Sequence, residues 1–352
     1  MKRGIYQGWT GRRNLGDEAM FQSCCRNLSH IHWIPFSLAD SLPAPGSVAS
    51  LWDSYRRSLL SFLSGQVAIF GGGTLVNRSP LWLEQYKLLR QANRKPVPLL
   101  SPGVANPCYW TGRNGWRDMR SEWRDLLMEL PEIGVRGPIS KRLLDEAGLR
   151  NVLVTGDPAL GFYRDISAQP PGRRAVAVNV GRSKGEMWGN EDRALSEIAA
   201  GVRSLAALGF DVHIFPVWDR DEPSCREVAR SAGLSEDALD PLILDPDEFL
   251  RYVTRFDVVI SLKLHAAVLA AAAGVPFVAV EYRPKVRDFT ESVGFGRFTF
   301  RSDCFEGKDL VRASLEIYDD LSGARARLDS RVRELSEIFT AYSRRLEEFV
   351  LD

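Results

Sequence analysis

The sequence predicts an α/β protein with two doubly wound, Rossmann-like domains. Three observations lead to this prediction: short apolar runs that stop at glycine, helical patterns that follow them, and a length of 352 residues. The strand, helix, strand order requires parallel pairing, because a chain that crosses over through a helix returns in the same direction. A single core rarely serves a chain of this length, so two domains are expected.

The first half of the chain carries strand patterns that alternate with helical ones. Its strand patterns cover residues 5–8, 67–70, 97–100, 133–136 and 152–154. Helical spacing covers residues 16–28, 81–93 and 137–148. These elements predict an N-terminal Rossmann-like domain over residues 1–165.

The second half repeats the pattern after a polar stretch at residues 164–172, where the domain junction is expected. Its strand patterns cover residues 175–180, 210–217, 242–244, 257–262 and 276–282. Its helices are predicted at residues 192–208, 246–256 and 265–274. A second Rossmann-like domain should therefore cover residues 173–309. The tail at residues 310–352 has apolar residues at helical spacing and is expected to pack back across the junction as a long C-terminal helix.

Composition excludes several classes of protein. Lys+Arg 46 against Asp+Glu 45 leaves a net charge of +1, so no general field attracts nucleic acid or an anionic membrane. The N-terminus lacks the apolar core of a signal peptide, and no uncharged apolar run is long enough to span a bilayer. Five cysteines without CxxC spacing, and four histidines that do not cluster with them, argue against a metal site. A cytoplasmic protein is expected.

Two glycine-rich turns are candidates for ligand binding. The first, at residues 8–19, contains Asn14, Gly16 and Asp17, and it suits either a ligand near free helix N–H groups or a simple tight turn. The second, Gly71, Gly72, Gly73 and Thr74, directly follows a buried strand. Three consecutive glycines are costly to order, so this run favours close approach of a ligand.

Two charged residues stand at strand ends in the same half. Arg136 precedes a helix start, where it suits either a ligand site or an exposed surface position. Asp157, in Gly156-Asp157-Pro158, either caps the following turn or orients an arginine.

The strongest candidate is the junction at residues 258–267, where an apolar strand runs into an alanine-rich helix. It delivers Ser261, Lys263 and His265 to the carboxyl edge of the second sheet. A histidine at a helix N-terminus suits acid–base work when a bound anion tunes its pKa. The alternative is that His265 only caps the helix.

The loop after the next strand places Arg283, Lys285 and Arg287 within five residues. Such a loop suits a phosphate or carboxylate, which arginine can bind in a bidentate manner. A solvated charged loop is the alternative.

The order and spacing of these motifs together resemble the polysaccharide pyruvyl transferase family. The matching residues are Asn14 to Ala19, Gly71 to Gly73, Val135 to Ser140, Gly156 to Pro158, Ser261 to Ala266, and Tyr282 with Lys285 and Phe289. The resemblance implies a GT-B-like arrangement in which two Rossmann-like domains face a cleft. It also implies transfer of pyruvate from phosphoenolpyruvate, as co-substrate, onto a sugar of a cell-surface or secreted glycan such as an exopolysaccharide. The product is a ketal, phosphate is released, and no metal is needed.

A mechanistic hypothesis for such a reaction assigns roles to individual residues and a cell compartment to the enzyme. His265 would act as general acid, and the donor would be held by Lys263, Lys285, Ser261 and either Arg182 or Arg287. The acceptor, a sugar or lipid-linked oligosaccharide, would meet Asn14, Gly16, Asp17 and the residues from Gly71 to Thr74, with Arg136 and Asp157 elsewhere in the cleft. An enzyme of this kind works in the cytoplasm or peripherally at the inner face of the membrane.

One residue departs from the family pattern. Lys263 stands where the family usually has arginine, which keeps the charge but loses the planar fork that binds an anion in two places. This departure bears on donor affinity and donor identity. A nucleotide-sugar-dependent GT-B glycosyltransferase and a non-catalytic member of the family are the alternative interpretations.

Overall fold

The computed structural model describes residues 2–36, 66–93, 95–163 and 173–352, and the predicted junction at residues 164–172 lies outside these ranges. The chain forms two compact units. The first contains Met1–Arg12, Met20–Pro158 and Thr340–Asp352. The second contains Arg13–Ala19 and Ala159–Phe339, so a short N-terminal segment belongs to the second unit.

Seven strands lie in the described part of the first half of the chain. They are β1 (Lys2–Gln7), β2 (Ile31–Phe36), β3 (Val67–Phe70), β4 (Thr74–Val76), β5 (Gly103–Val104), β6 (Ile133–Val135) and β7 (Val152–Val154). The helices described in this half are α1 (Leu15–Asn27), α2 (Pro80–Asn93), α3 (Pro107–Trp110), α4 (Arg120–Leu127) and α5 (Pro138–Glu146).

The strands of the first unit pair in parallel, as predicted. They form the sheet β2-β1-β3 and the pairs β4-β5 and β6-β7. An aromatic cluster fills the core beside β3, where the ring of Phe70 lies 5.4 Å from Tyr86 and 5.7 Å from Trp123. Phe70 and Tyr86 pack edge to face, which adds to the free energy gained by burying the rings. The core thereby fixes the strand that ends at the glycine run.

The second half of the chain supplies the elements of the second unit. Its strands are β8 (Ala175–Asn179), β9 (Asp211–Phe215), β10 (Val258–Ser261), β11 (Phe277–Glu281) and β12 (Thr299–Arg301). Its helices are α6 (Glu191–Ala207), α7 (Glu222–Ala232), α8 (Pro246–Val253), α9 (Leu264–Ala272), α10 (Pro284–Ser292), α11 (Gly307–Asp319) and α12 (Leu321–Leu351). Short 3-10 turns lie at Pro158–Phe162, Asp219–Asp221, Glu236–Ala238 and Gly296–Phe298.

The second sheet is parallel throughout, with the order β12-β11-β10-β8-β9. Strands β8, β10 and β11 are buried along their whole length, which explains why they read as continuous apolar runs. Helix α9 is buried at every position except His265. An alanine-rich helix has little side-chain bulk, so it can pack closely against its neighbours.

The long C-terminal helix is confirmed, although the predicted tail forms two helices. Helix α11 ends at Asp319, and α12 runs from Leu321 to Leu351. The first part of α12 belongs to the second unit and Thr340–Asp352 to the first.

Two predicted strands are wrong in extent. Residues 97–100 form only an isolated parallel bridge between Leu99 and Phe70. The bridge consists of two hydrogen bonds, from Phe70 N–H to the Pro98 carbonyl and from Leu100 N–H to the Phe70 carbonyl. Residues 242–244 form no strand, and the nearby pairing is a single bridge between Leu239 and Ile214. The elements that were not predicted are helices α3, α4, α7 and α10 and strands β2, β4, β5 and β12. Among the described residues, no helix is both long and apolar enough to cross a bilayer.

Candidate functional site

The centre of the second sheet is the place where a parallel α/β fold binds ligands. Strand β8 lies between β9 and β10. The chain continues from β8 toward β9 on one side and from β10 toward β11 on the other, so the strand order reverses between β8 and β10. Loops that diverge from neighbouring carboxyl ends leave a crevice at this switch point. The residues that follow β8 and β10 therefore form the first candidate site.

An asparagine fixes the backbone at this edge. Asn179, the last residue of β8, is fully buried, and its side-chain oxygen accepts a hydrogen bond from the backbone N–H of Lys263 at 3.0 Å. Its side-chain N–H group donates to the carbonyl of Phe215 at 3.0 Å. The hydroxyl of Ser261 donates to the carbonyl of Lys263 at 2.6 Å. Ser261 thus stabilises the turn that starts α9.

The side chain of Lys263 points to two acceptors. Its ammonium donates to the carbonyl of Arg182 at 2.6 Å and lies 3.5 Å from the Asp221 carboxylate. The Asp221 side chain is only 1% exposed. Burial raises the pKa of Asp221 to about 6, although the nearby Lys263 charge acts in the opposite direction. A buried carboxylate with a raised pKa beside a cation marks a candidate site, and sequence analysis had not identified it.

His265 occupies the first turn of α9, with its Nε2 atom buried. Its imidazole packs against Gly16, where a Cβ would overlap the ring atoms. Only a glycine fits beside the histidine in this position. The glycine of the first predicted turn therefore lies next to the strongest candidate residue of the second unit.

The segment Arg13–Ala19 is held to the second unit by its own hydrogen bonds. The backbone N–H of Leu15 donates to the carbonyl of Val217 at 2.9 Å. The side-chain oxygen of Asn14 accepts from the N–H groups of Gly16 at 3.0 Å and Asp17 at 3.3 Å, which caps the start of α1. Asn14, Gly16 and Asp17 were predicted on the acceptor side of the first domain, and the structure groups them with His265 instead.

Three cations surround the ring of Tyr282, which is 4% exposed. The distances to its ring centroid are 5.9 Å from the Lys263 ammonium, 5.2 Å from the Arg283 guanidinium and 5.1 Å from the Lys285 ammonium. Arg283 also pairs with Glu186 at 2.8 Å. This arrangement concentrates positive charge at the carboxyl ends of β10 and β11.

Two arginines predicted to bind the donor are engaged elsewhere. The guanidinium of Arg287 donates to the Glu281 carboxylate at 2.9 Å, to the Gly296 carbonyl at 2.7 Å and to the Thr299 carbonyl at 2.8 Å. These three bonds tie α10 to the end of β11. Arg182 pairs with Asp192 at 2.6 Å and with Glu227 at 3.0 Å.

A second set of polar residues lies in the first unit. The predicted run Gly71, Gly72 and Gly73 follows β3 directly. A Cβ at Gly71 would meet the ring of Tyr6, and a Cβ at Gly72 would meet Met20 and Pro158. Gly73 has a φ of +101°, which disfavours any other residue. Local packing at Gly71 and Gly72, and the backbone conformation at Gly73, are therefore enough to require glycine at all three positions.

Arg136 and Asp157 form an ion pair in which both side chains are 0% exposed. Arg136 Nε donates to Asp157 Oδ2 at 2.8 Å, and Arg136 Nη1 donates to the Thr74 hydroxyl at 3.4 Å. Arg136 Nη2 is buried and has no hydrogen-bond partner among the described residues. Asp157 was expected either to cap the following turn or to orient an arginine. Its bond to Arg136 is the geometry of a carboxylate that orients an arginine.

The sequence model of the polysaccharide pyruvyl transferase family matches residues 14–284, which is more than half of the chain. The chain belongs to this family. The matched range contains Asn14, Asp221 and His265, and it ends just before Lys285. A search of curated protein sequences found no match.

Solved structures with the same fold include sugar enzymes. A glycosyltransferase from Rickettsia africae ESF-5 has a TM-score of 0.57 at 9% identity, over 100% of this chain and 99% of that one. UDP-GlcNAc 2-epimerase from Neisseria meningitidis, bound to UDP-GlcNAc, has a TM-score of 0.57 at 10% identity, over 93% of this chain and 94% of that one. The epimerase from Methanocaldococcus jannaschii gives 0.54 at 15% identity, over 90% and 92%. At such identities the likeness concerns the fold alone, and it confirms the GT-B-like α/β class.

Sequence analysis missed two residues that organise the site of this family member. Asn179 had one signal, since it is the polar residue of the apolar run at residues 175–180. Asp221 had none, because it lies in a polar stretch with no regular spacing, and only the fold brings it to Lys263. In the described part of the chain, no three His, Cys, Asp or Glu side chains cluster as a metal ion would require.

Asp221→Asn is expected to change the pH dependence of stability. The folded pKa of about 6 exceeds the ordinary value of 3.8, so wild-type stability is lost as pH rises from about 4 through 6. Asparagine removes this loss. The free energy of unfolding of the variant, relative to wild type, should rise by about 2 kcal/mol between about pH 4 and pH 7.

Urea unfolding followed by tryptophan fluorescence at several pH values measures this difference. Asp219→Asn is the matched control, since Asp219 is exposed and lies close by in the same turn. A difference that stays constant with pH would contradict a raised pKa at Asp221.

Proposed function

We propose that the chain is an enzyme that transfers pyruvate from phosphoenolpyruvate to two hydroxyls of a glycan sugar, forming a ketal and releasing phosphate. The observation that carries the proposal is the grouping of His265, Lys263 and Lys285 at the carboxyl edge of one parallel sheet. Family membership supplies the reaction class and the glycan acceptor.

The donor requires a site for two anionic groups, its phosphate and its carboxylate. Lys263 and Lys285 flank the ring of Tyr282 and supply two ammonium groups. The N-termini of α9 and α10 follow the same two strands, and their free N–H groups also favour anions. Arg182 and Arg287 keep carboxylate partners at 3.0 and 2.9 Å, closer than the 3.5 Å between Lys263 and Asp221. The proposal assigns the donor to Lys263 and Lys285, with Ser261 stabilising the turn.

His265 is proposed as the general acid. It transfers a proton to the methylene carbon of phosphoenolpyruvate, which turns the neighbouring carbon into an electrophile for an acceptor hydroxyl. The carbon–oxygen bond to phosphate then breaks, and a second hydroxyl closes the ketal. Of the two hydroxyl protons released, one restores His265 and the other leaves with the phosphate. Cations near the departing phosphate stabilise the charge that develops on it.

The segment Arg13–Ala19 is proposed to support this acid. Gly16 lies against the imidazole, and Asn14 caps the helix that begins there. A rigid neighbour restricts the ring to few orientations, which is what proton transfer to a defined carbon requires. Within the first unit, Gly71, Gly72, Gly73 and Thr74 are proposed to contact a sugar, with Arg136 and Asp157 as buried support.

A second candidate function has one observation in its favour. The structures with the same fold include a glycosyltransferase and enzymes of UDP-GlcNAc. A nucleotide-sugar-dependent glycosyltransferase would use the same sheet edge, but its donor would be a nucleoside diphosphate sugar. The two proposals therefore differ in the ligand that stabilises the protein.

Phosphoenolpyruvate should raise the Tm of the wild-type chain, and UDP or UDP-GlcNAc should leave it unchanged. A ligand that binds only the folded state stabilises it by about 2.7 kcal/mol at a hundredfold excess over its Kd. A thermal-shift panel of the three ligands measures this. Stabilisation by UDP-GlcNAc without any by phosphoenolpyruvate would favour the glycosyltransferase.

His265→Gln should lower kcat for phosphate release from phosphoenolpyruvate by about 10²- to 10⁴-fold, the usual contribution of a general acid. Phosphate release is measured with a panel of galactosides, mannosides and glucosides as acceptors. His32→Gln is the control, because His32 is exposed at β2. Normal turnover by the His265 variant would remove this residue from the mechanism.

Gly16→Ala should lower kcat by about 10- to 100-fold, because the added methyl group displaces the His265 ring from its working position. The same phosphate-release assay measures the effect. In the control, Gly296→Ala, the new methyl group meets Glu291 alone, with Cγ at 3.3 Å and Cα at 4.0 Å. If both variants turn over at the wild-type rate, Gly16 has no role in positioning the histidine.

A further inference from the structure

The Lys263 ammonium already has a counter-ion within the protein. The carboxylate of Asp221 lies 3.5 Å away, and the Arg182 carbonyl accepts a hydrogen bond from the same ammonium at 2.6 Å. The Lys263 side chain is 13% exposed and that of Asp221 is 1% exposed. A pair this shielded from water interacts more strongly than a surface pair.

The geometry of the pair falls short of a good hydrogen bond. At 3.5 Å the contact with Lys263 is at the long limit of hydrogen bonding. Neither oxygen of Asp221 has a well-formed hydrogen bond within the described ranges. Gly181 lies against both partners, since a Cβ there would overlap the Asp221 carboxylate and come within 2.6 Å of Lys263 Cε. Polar contacts from Lys263 and from the backbone of Val217 and Trp218 lower the pKa of Asp221, but burial raises it by more.

Other charged groups around Asp221 do not replace Lys263. Helix α7 brings the thiol of Cys225, whose pKa is raised by burial and by the Asp221 charge, and Glu222, which is exposed. The guanidinium of Arg182 is paired with Asp192 and Glu227. Lys263 is therefore the cation that compensates Asp221.

We propose that Asp221 is an internal counter-ion that competes with an anionic donor for Lys263, so that the donor binds more weakly while Asp221 is ionised. The inference rests on the proposed function in taking the donor to be a phosphate-bearing carboxylate. An incoming anion repels the Asp221 carboxylate and attracts its partner. Asp221 therefore takes up a proton as the anion binds, and Asp221 acts on the donor through Lys263 as a positioning residue.

Lysine suits this exchange better than arginine. A guanidinium facing Asp221 can form two parallel hydrogen bonds with the carboxylate, which an anion must break together. An ammonium is a compact charge on a flexible stem and can change partner with a small movement. The lysine at position 263 thereby fits a site in which the cation has two alternative partners.

The direction of the pH effect follows from the burial of Asp221. Because burial raises its pKa to about 6, the carboxylate is protonated below this pH and ionised above it. Anion affinity should fall as pH rises through about 6. Asparagine resembles the protonated acid, so Asp221→Asn should bind anions tightly at every pH.

Isothermal titration with sulfate tests the inference, since sulfate keeps its charge between about pH 5 and pH 8. For the wild type, affinity should fall by about tenfold across this range, a change typical of one nearby charge. For Asp221→Asn, affinity should stay near the acid value and exceed that of the wild type by about tenfold at pH 8. Asp219→Asn, with an exposed carboxylate, should behave as wild type.

The same titrations in a His265→Asn background exclude the histidine as the source of the pH effect. If Asp221→Asn fails to fold, the pH dependence of sulfate affinity in His265→Asn alone tests the inference. Three outcomes would overturn the inference. They are a sulfate affinity of His265→Asn that does not change with pH, no gain in affinity from Asp221→Asn, and no sulfate binding by wild type or by Asp221→Asn.

Turnover separates this inference from the proposed function. Tighter sulfate binding by Asp221→Asn, with no phosphate released from phosphoenolpyruvate by wild type, would support the counter-ion and reject pyruvyl transfer. Wild-type turnover with unchanged sulfate affinity in Asp221→Asn would reject the counter-ion alone.

Discussion

The side-chain amide of Asn179 is the interaction on which the second unit's site depends. It accepts a hydrogen bond from Lys263 N–H and donates one to the Phe215 carbonyl, so it links the carboxyl ends of three neighbouring strands. The amide is fully buried, and losing either bond would leave a polar group without a partner in the core. The turn that carries Lys263 and His265 is therefore held by the sheet itself and not by a flexible loop. Placement on rigid elements is what allows a site to keep its geometry.

Charge at this edge is compensated by acidic residues of the same unit. Arg182, Arg283 and Arg287 each have a carboxylate partner, and Lys263 has one that lies farther away and is almost fully buried. The arginines use their planar groups to tie loops and helices to strand ends. Lysine, with fewer geometric demands, remains the more adaptable cation. Of the three strand-end cations in five residues, Arg283 and Arg287 are thus tied to carboxylates and carbonyls of the protein itself.

Much of the fold was predictable because the signals were local. Buried parallel strands such as β10 and β11 read as apolar runs, and Gly71 to Gly73 marked a strand end. Residues 242–244 are also an apolar run, but apolar composition alone does not show whether a partner strand is present. The contact of Gly16 with His265 joins residues far apart in sequence, as does the pair formed by Asp221 and Lys263. Such contacts depend on strand order and packing, which no local pattern encodes.

The buried pair of Arg136 and Asp157 has a consequence for how substitutions in the first unit are interpreted. Both side chains are 0% exposed, so removing one leaves the other as an uncompensated charge in the core, at a cost of about 3 to 5 kcal/mol. This approaches the whole stability of many domains. A single replacement would therefore lower the amount of folded protein whether or not either residue meets a ligand. The two positions are therefore coupled, and replacing both with uncharged residues should cost less than the sum of the two single replacements.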